Sequence, residues 1–92
     1  MAMQHQEKQD RDQENQERQQ RNALIGEKVL HALGEPADLR KVLVRRLWAD
    51  RYRVNVLVGV DAASTKVAHS YFLVVGSEGN IITSTPAIAK QY

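Results

Sequence analysis

The feature that most constrains the fold is an alternating apolar pattern in the middle of the chain. Every second residue from 52 to 60 is apolar, namely Tyr52, Val54, Val56, Val58 and Val60. Successive side chains of a β-strand point to opposite faces of a sheet, so this spacing predicts a strand with one apolar face. The chain is therefore expected to build a sheet that packs one face against other residues.

Three further segments have the β-branched and aromatic composition of strands: 40–48, 67–75 and 81–85. Short polar connections separate them, and the connection at 76–80 contains two glycines, which is typical of a hairpin loop. Pro86 lacks a backbone N–H, so we expect the last strand to be short or to lie at a sheet edge. Residues 87–92 are predicted to form a tail.

One helix is predicted before the strands. From Ala23 onward Ile25, Val29 and Leu33 fall on a single stripe, with Asn22 available as an N-cap if the helix begins there. Gly34 can adopt the left-handed conformation that ends a helix, and Pro36 cannot continue one. The expected helix ends at Leu33.

This order of elements predicts an α+β fold, α-β-β-β-β, with one N-terminal helix packed across a four-stranded antiparallel meander sheet. Residues 23–92 are expected to form a single small domain. Its second sheet face also carries apolar residues: Leu43, Leu47, Leu57 and either Tyr71, Leu73 and Val75 or Phe72 and Val74. One short helix cannot cover both faces, so the arm, the tail or another subunit is expected to cover the second one.

Residues 1–22 form a polar arm rich in glutamine and charge. Residues 4–22 contain seven glutamines and no large apolar side chain, so they have nothing to bury in a core. Acid-before-base pairs at i and i+4, such as Glu14 and Arg18, support a solvated helix. The arm is therefore predicted to be either disordered or an exposed extension of the helix, and it lacks the apolar heptad positions of a coiled coil.

Composition bounds the class of protein. The 92 residues include no cysteine, which excludes disulfides and thiolate metal sites and favours a reducing, cytoplasmic environment. No apolar run is long enough to span a bilayer, and the N-terminus has no apolar leader, so we expect a soluble protein. The formal net charge is +2, and the domain without the arm is about +3.

The most unusual local feature is a basic hairpin between residues 40 and 53. Arginine guanidinium groups pair with phosphates and aromatic rings stack on bases, which suggests nucleic acid, while arginine is also common as a guard on sheet surfaces. The candidate interaction surface consists of Arg40, Arg45, Arg46, Trp48, Arg51, Arg53 and Leu57.

No catalytic or metal-binding pattern is evident. Asp61, Ser64 and His69 are the residue types of a hydrolytic triad, but nothing places the serine on a strained turn. His5, His31 and His69 are too scattered to predict a metal site. We therefore expect no enzyme activity and no cofactor.

The leading functional hypothesis is a non-enzymatic protein-interaction module that binds another protein or itself as a homodimer, through the second sheet face or an edge strand. A nucleic-acid-binding module using the hairpin Arg40 to Arg53 is the first alternative. The second is a small enzyme subunit whose site is completed by a partner chain. No membrane partner is expected.

Overall fold

The chain folds as a two-layer α+β domain. The computed structural model describes residues 14–92 in full and residues 2–13 only as part of the first helix. The elements are α1 (Ala2–Leu33), β1 (Leu39–Trp48), β2 (Arg51–Val58), β3 (Lys66–Val75) and β4 (Ile81–Thr85). All neighbouring strands are antiparallel in the order β1-β2-β3-β4, so the predicted helix-plus-meander architecture is confirmed.

Helix α1 is longer than the apolar stripe predicted. It passes through Asn22 without a break, so Asn22 is an interior helical residue and not the N-cap. Between Glu14 and Arg21 every side chain is exposed, as expected of a solvated helical extension. Disorder was the other state predicted for the arm. That prediction falls on residues outside those described in full. In the described part of the chain, no helix is long and apolar enough to cross a membrane.

The C-terminus of α1 is defined by Gly34, as predicted. Gly34 has a φ of +89°, and its N–H donates to the Leu30 carbonyl at 2.7 Å, which is the single bond of a left-handed helix cap. The tail completes this end, because the N–H groups of Gln91 and Tyr92 both donate to the Leu33 carbonyl, at 2.8 and 3.2 Å. The tail is thereby attached to the helix.

The core lies between α1 and one face of the sheet. Ile25, Val29 and Leu33 from the helix are fully buried against alternate residues of β2 and β3. The sheet contributes Tyr52, Val54, Val56, Tyr71, Leu73 and Val75, and Val42 and Val44 of β1 pack at its margin. These residues are cross-strand neighbours in register, for example Val44 with Val54 and Val54 with Tyr71, so they share the helix-facing side.

The alternating pattern of β2 ends earlier than the sequence suggested. The strand stops at Val58, and Val60 is 85% exposed instead of continuing the apolar face. Gly59 has a φ of +155°, a backbone conformation that favours glycine, and the strand ends there. Its N–H donates to the Asp38 carbonyl at 2.9 Å, which continues the pairing of Leu39 with Val58 by one residue before the chain leaves the sheet. The strand therefore ends at a glycine conformation despite the favourable side chain at position 60.

The second face of the sheet is not covered by the tail. Ile88 packs against the core on the helix side, so the tail follows the same layer as α1. The second face carries Phe72 and Val74, since Tyr71, Leu73 and Val75 are buried beneath the helix. We refer to the side opposite α1 as the open face.

Candidate interaction surfaces

The open face is organised in cross-strand rows. One row joins Arg45, Arg53, Phe72 and Thr85 across all four strands, and the next joins Trp48, Arg51, Val74 and Thr83. A third row contains Leu43, Asn55 and Ser70. Because directly opposed residues project to the same side of a sheet, these rows form one continuous surface.

The candidate residues predicted from the basic hairpin do not all lie together. Arg45, Trp48, Arg51, Arg53 and Leu57 belong to the open face. Arg46 is opposite Tyr52 on the helix-facing side, and its Nε donates to the Ala49 carbonyl at 2.7 Å. Arg40 lies at the irregular start of β1, at the far end of the strand from the hairpin turn. The pleat of β1 therefore divides the basic cluster between two faces.

The electrostatics of the open face are strongly positive. Within residues 14–92 one ion pair is formed, between the guanidinium of Arg51 and the carboxylate of Asp50 in the adjoining turn. The hydrogen bond from Arg51 is the main reason that the pKa of the Asp50 carboxyl lies below its ordinary value. Arg45 and Arg53 are directly opposite each other and are not neutralised by an acid of the described chain.

An aromatic pair lies beside these arginines. Trp48 is 58% exposed, and the centroid of its ring is 5.9 Å from that of Phe72, with the rings tilted by 43°. The Arg53 guanidinium carbon is 6.0 Å from the Phe72 centroid, at the outer limit of a cation–π contact. Trp48 is therefore not a core residue, although a lone tryptophan in a small domain usually is.

A second surface is a groove between α1 and β1, on the helix side of the sheet. It has a volume of about 600 Å³ and is mainly apolar. Ala23, Gly26 and Leu30 form its helical wall, while Val42 and Val44 form the strand wall. The helix lies close to β1 at Gly26, where an added Cβ would lie 3.4 Å from a Val42 methyl carbon.

The residues of the hypothetical triad are separated by their local structure. Asp61 and Ser64 form a closed turn in which the Ser64 N–H donates to Asp61 Oδ1 at 2.9 Å. His69 lies on β3, where its Nε2 is 2.9 Å from the hydroxyl oxygen of Tyr92 and its ring stacks on Tyr71. Burial, followed by the nearby Tyr92, raises the pKa of the Tyr71 hydroxyl above its ordinary value. These contacts tie the tail to the sheet and bring no serine to the histidine.

Sequence reasoning missed two contributors to these surfaces. Phe72 was not singled out because both alternating sets of β3 are apolar, and only the register with β2 shows which set faces the helix. The groove depends on Gly26 lying beside β1, which no local pattern indicates. A small residue on the flank of an apolar helical stripe was the one available signal.

The described residues contain no group of three side chains that could hold a metal ion. Comparison with family models, with curated proteins and with solved structures found no significant match to this chain. The architecture defines the class, a helix packed on a four-stranded antiparallel meander.

Proposed function

We propose that this chain is a non-enzymatic protein-interaction module that self-associates as a homodimer through the groove between α1 and β1. The observation that carries this proposal is the apolar groove itself, which leaves Val42 and Val44 only partly covered. Contiguous apolar surface of this kind is characteristic of sites that bind another protein. The absence of cysteine supports action in a reducing compartment such as the cytoplasm.

A second copy is the occupant that the groove fits best. The core of the domain is small, with ten buried apolar side chains, so burial at a symmetric interface adds needed stability. The walls of the groove carry opposite charges, Glu27 on the helix and Lys41 on the strand, and neither forms an ion pair within residues 14–92. In a twofold contact, the acid of one copy can approach the base of the other.

The edge position of β1 also favours this arrangement. β1 is a ten-residue edge strand, and among the described residues no strand pairs with its outer side. The side-chain amide of Asn22 donates to the Val44 carbonyl at 3.4 Å and covers that part of the edge. A second helix lying in the groove would shield the remainder of this exposed edge.

The proposal is tested by placing a charge in the groove. Ala23 is exposed and lines the groove, so Ala23→Arg fills it without removing a buried contact. Gln20→Arg is the matched control, because Gln20 is exposed on the opposite flank of α1, near the β3–β4 loop. Sedimentation velocity across a wide concentration series should give a dimer for the native chain and for Gln20→Arg, and a monomer for Ala23→Arg.

Two outcomes contradict the proposal. If the native chain stays monomeric at every concentration, the chain does not self-associate. If Ala23→Arg still forms a dimer and circular dichroism shows that it is folded, the groove is not the dimer interface.

A further inference from the structure

We infer that the open face binds single-stranded nucleic acid, with Arg45 and Arg53 on the phosphates and Trp48 and Phe72 stacked on the bases. This site is separate from the groove, since none of these four residues lines the groove between α1 and β1. Of the arginines and aromatic residues predicted from the basic hairpin, this site uses only those that share the open face.

The charge of the open face calls for an anionic partner. Like charges placed directly opposite on antiparallel strands are destabilising, yet Arg45 of the edge strand β1 faces Arg53 of β2. The one acid nearby in the described chain, Asp50, is engaged by Arg51. A polyphosphate backbone supplies regularly spaced charges that neutralise such a row and release counterions.

The aromatic pair favours a nucleic acid over other anionic partners. Trp48 and Phe72 lie next to the arginines with one ring largely in water, although burial of an aromatic side chain is favourable. Exposed rings beside guanidinium groups are the platform on which unpaired bases stack in sequence-tolerant binding. An acidic peptide would neutralise the arginines but would leave this stacking surface unused.

The shape of the surface excludes two other occupants. A second copy of the open face would bring the same arginines against each other, so face-to-face dimerisation is opposed by charge. Duplex DNA is read by a helix or a two-stranded ribbon that enters the major groove, whereas the open face is the middle of a four-stranded sheet. Unpaired bases can splay out onto such a surface.

Hydrogen-bonding side chains complete the surface. Ser70 Oγ donates to Asn55 Oδ1 at 2.6 Å, and Arg53 reaches Ser70 Oγ at 3.4 Å. Thr83 and Thr85 are exposed at the β4 end of the two arginine rows. These groups provide donors and acceptors for base edges beside the stacking rings.

The test uses two adjacent arginines on opposite faces. Fluorescence anisotropy with labelled oligouridylate should show Arg45→Gln weakening binding by about fivefold to tenfold at low salt, with the slope of log affinity against log salt smaller by about 1. Arg46→Gln is the matched control, because it removes the same charge from the helix-facing side, and its affinity should stay within about twofold of the native value.

The stacking contribution is tested separately. Trp48→Ala should weaken oligouridylate binding by about 5- to 160-fold at every salt concentration, since stacking on an aromatic ring contributes roughly 1–3 kcal/mol per base. Heparin, a polyanion without bases, should bind Trp48→Ala as well as it binds the native chain. Oligothymidylate tests DNA as the strand, and a duplex of equal length tests the requirement for unpaired bases.

Three results overturn the inference: equal losses in Arg45→Gln and Arg46→Gln, duplex binding as tight as single-strand binding, or no effect of Trp48→Ala on oligouridylate. Thermal unfolding of each variant separates lost binding from lost folding.

The groove variant Ala23→Arg should keep full affinity for oligouridylate, and Arg45→Gln should keep the native solution mass. Failure of one proposal is therefore distinguishable from failure of the other.

Discussion

At the scale of single residues, two glycines of α1 and its cap have opposite roles. Gly34 needs its positive φ, and a Cβ there would lie 2.5 Å from the backbone oxygen of Tyr92. Gly26 has ordinary helical geometry, and a Cβ there would make only a normal contact with Val42. The same substitution should therefore change stability in opposite directions at these two positions.

We predict that Gly34→Ala lowers the free energy of unfolding by about 1–2 kcal/mol or more, because alanine is strained in the left-handed region and displaces the tail. Gly26→Ala should raise it by roughly 0.5–1 kcal/mol through helix propensity. Urea denaturation at one fixed protein concentration measures both. A stabilised Gly34→Ala would contradict the cap and the docking of the tail.

The residue scale is also where sequence reasoning was most uneven. Gly34, Pro36 and the end of the helix at Leu33 were predictable because they depend on backbone preferences of single residues. The exposure of Val60 and of Trp48 was not, because it depends on where the strand ends before Gly59 and on the position of Trp48 beside the hairpin turn. Local preference predicts a conformation, whereas burial depends on what lies opposite.

At the scale of elements, the sheet has one face that packs against the helix and one face on which like charges are opposed. The helix-facing residues of β2 are apolar and buried, as the alternation from Tyr52 to Val58 indicated. The open rows place Arg45 against Arg53, an arrangement that stability alone does not explain. Charge retained at a cost in stability is characteristic of surfaces that bind a partner.

We predict that Arg45→Gln stabilises the unbound protein by a few tenths of a kcal/mol, up to about 1 kcal/mol, at low salt because it removes the repulsion from Arg53. The gain should shrink as salt screens the charges. Thermal unfolding at two salt concentrations measures it, with Arg46→Gln as the control. A loss of stability in Arg45→Gln would show that its aliphatic stem contributes more than its charge costs.

Element order and type were predictable from periodicity, but the face of β3 was not. Both alternating sets of β3 are apolar, so the sequence allowed Tyr71 or Phe72 to face the helix. The antiparallel register, in which Val54 is opposite Tyr71, places Phe72 on the open face. The candidate interaction surface was therefore only partly predictable: its arginines were visible, but their division between two faces was not.

At the scale of the whole molecule, the described structure separates a packed domain from a solvated helical extension. Ile25 is the first buried apolar side chain among the residues described in full, and the contacts of the upstream residues are sparse. Arg21 donates to the Ser77 carbonyl at 2.7 Å, and Asn22 reaches Val44. Both contacts lie in the last part of the arm, beside the domain.

We therefore predict that a chain containing only residues 14–92 keeps the native fold, with a free energy of unfolding within about 1 kcal/mol of the full chain. Its dimerisation should be unchanged, because Ala23, Gly26 and Leu30 remain. Sedimentation and urea denaturation of the two chains side by side measure both quantities. A monomeric 14–92 chain would assign self-association to the arm instead of the groove.

The one-sided covering of the sheet has a consequence for how substitutions can be interpreted. Between the β-bulges, the even-numbered residues of 42–46 in β1 and of 52–58 in β2 face the helix, whereas in β3 the odd-numbered residues of 69–75 do. Alternate residues of the same strands therefore contribute to folding and to the proposed binding surface. In a saturation library of these strands, selection for solubility should restrict the residues that face the helix. Selection for ligand binding should restrict the residues of the open face as well.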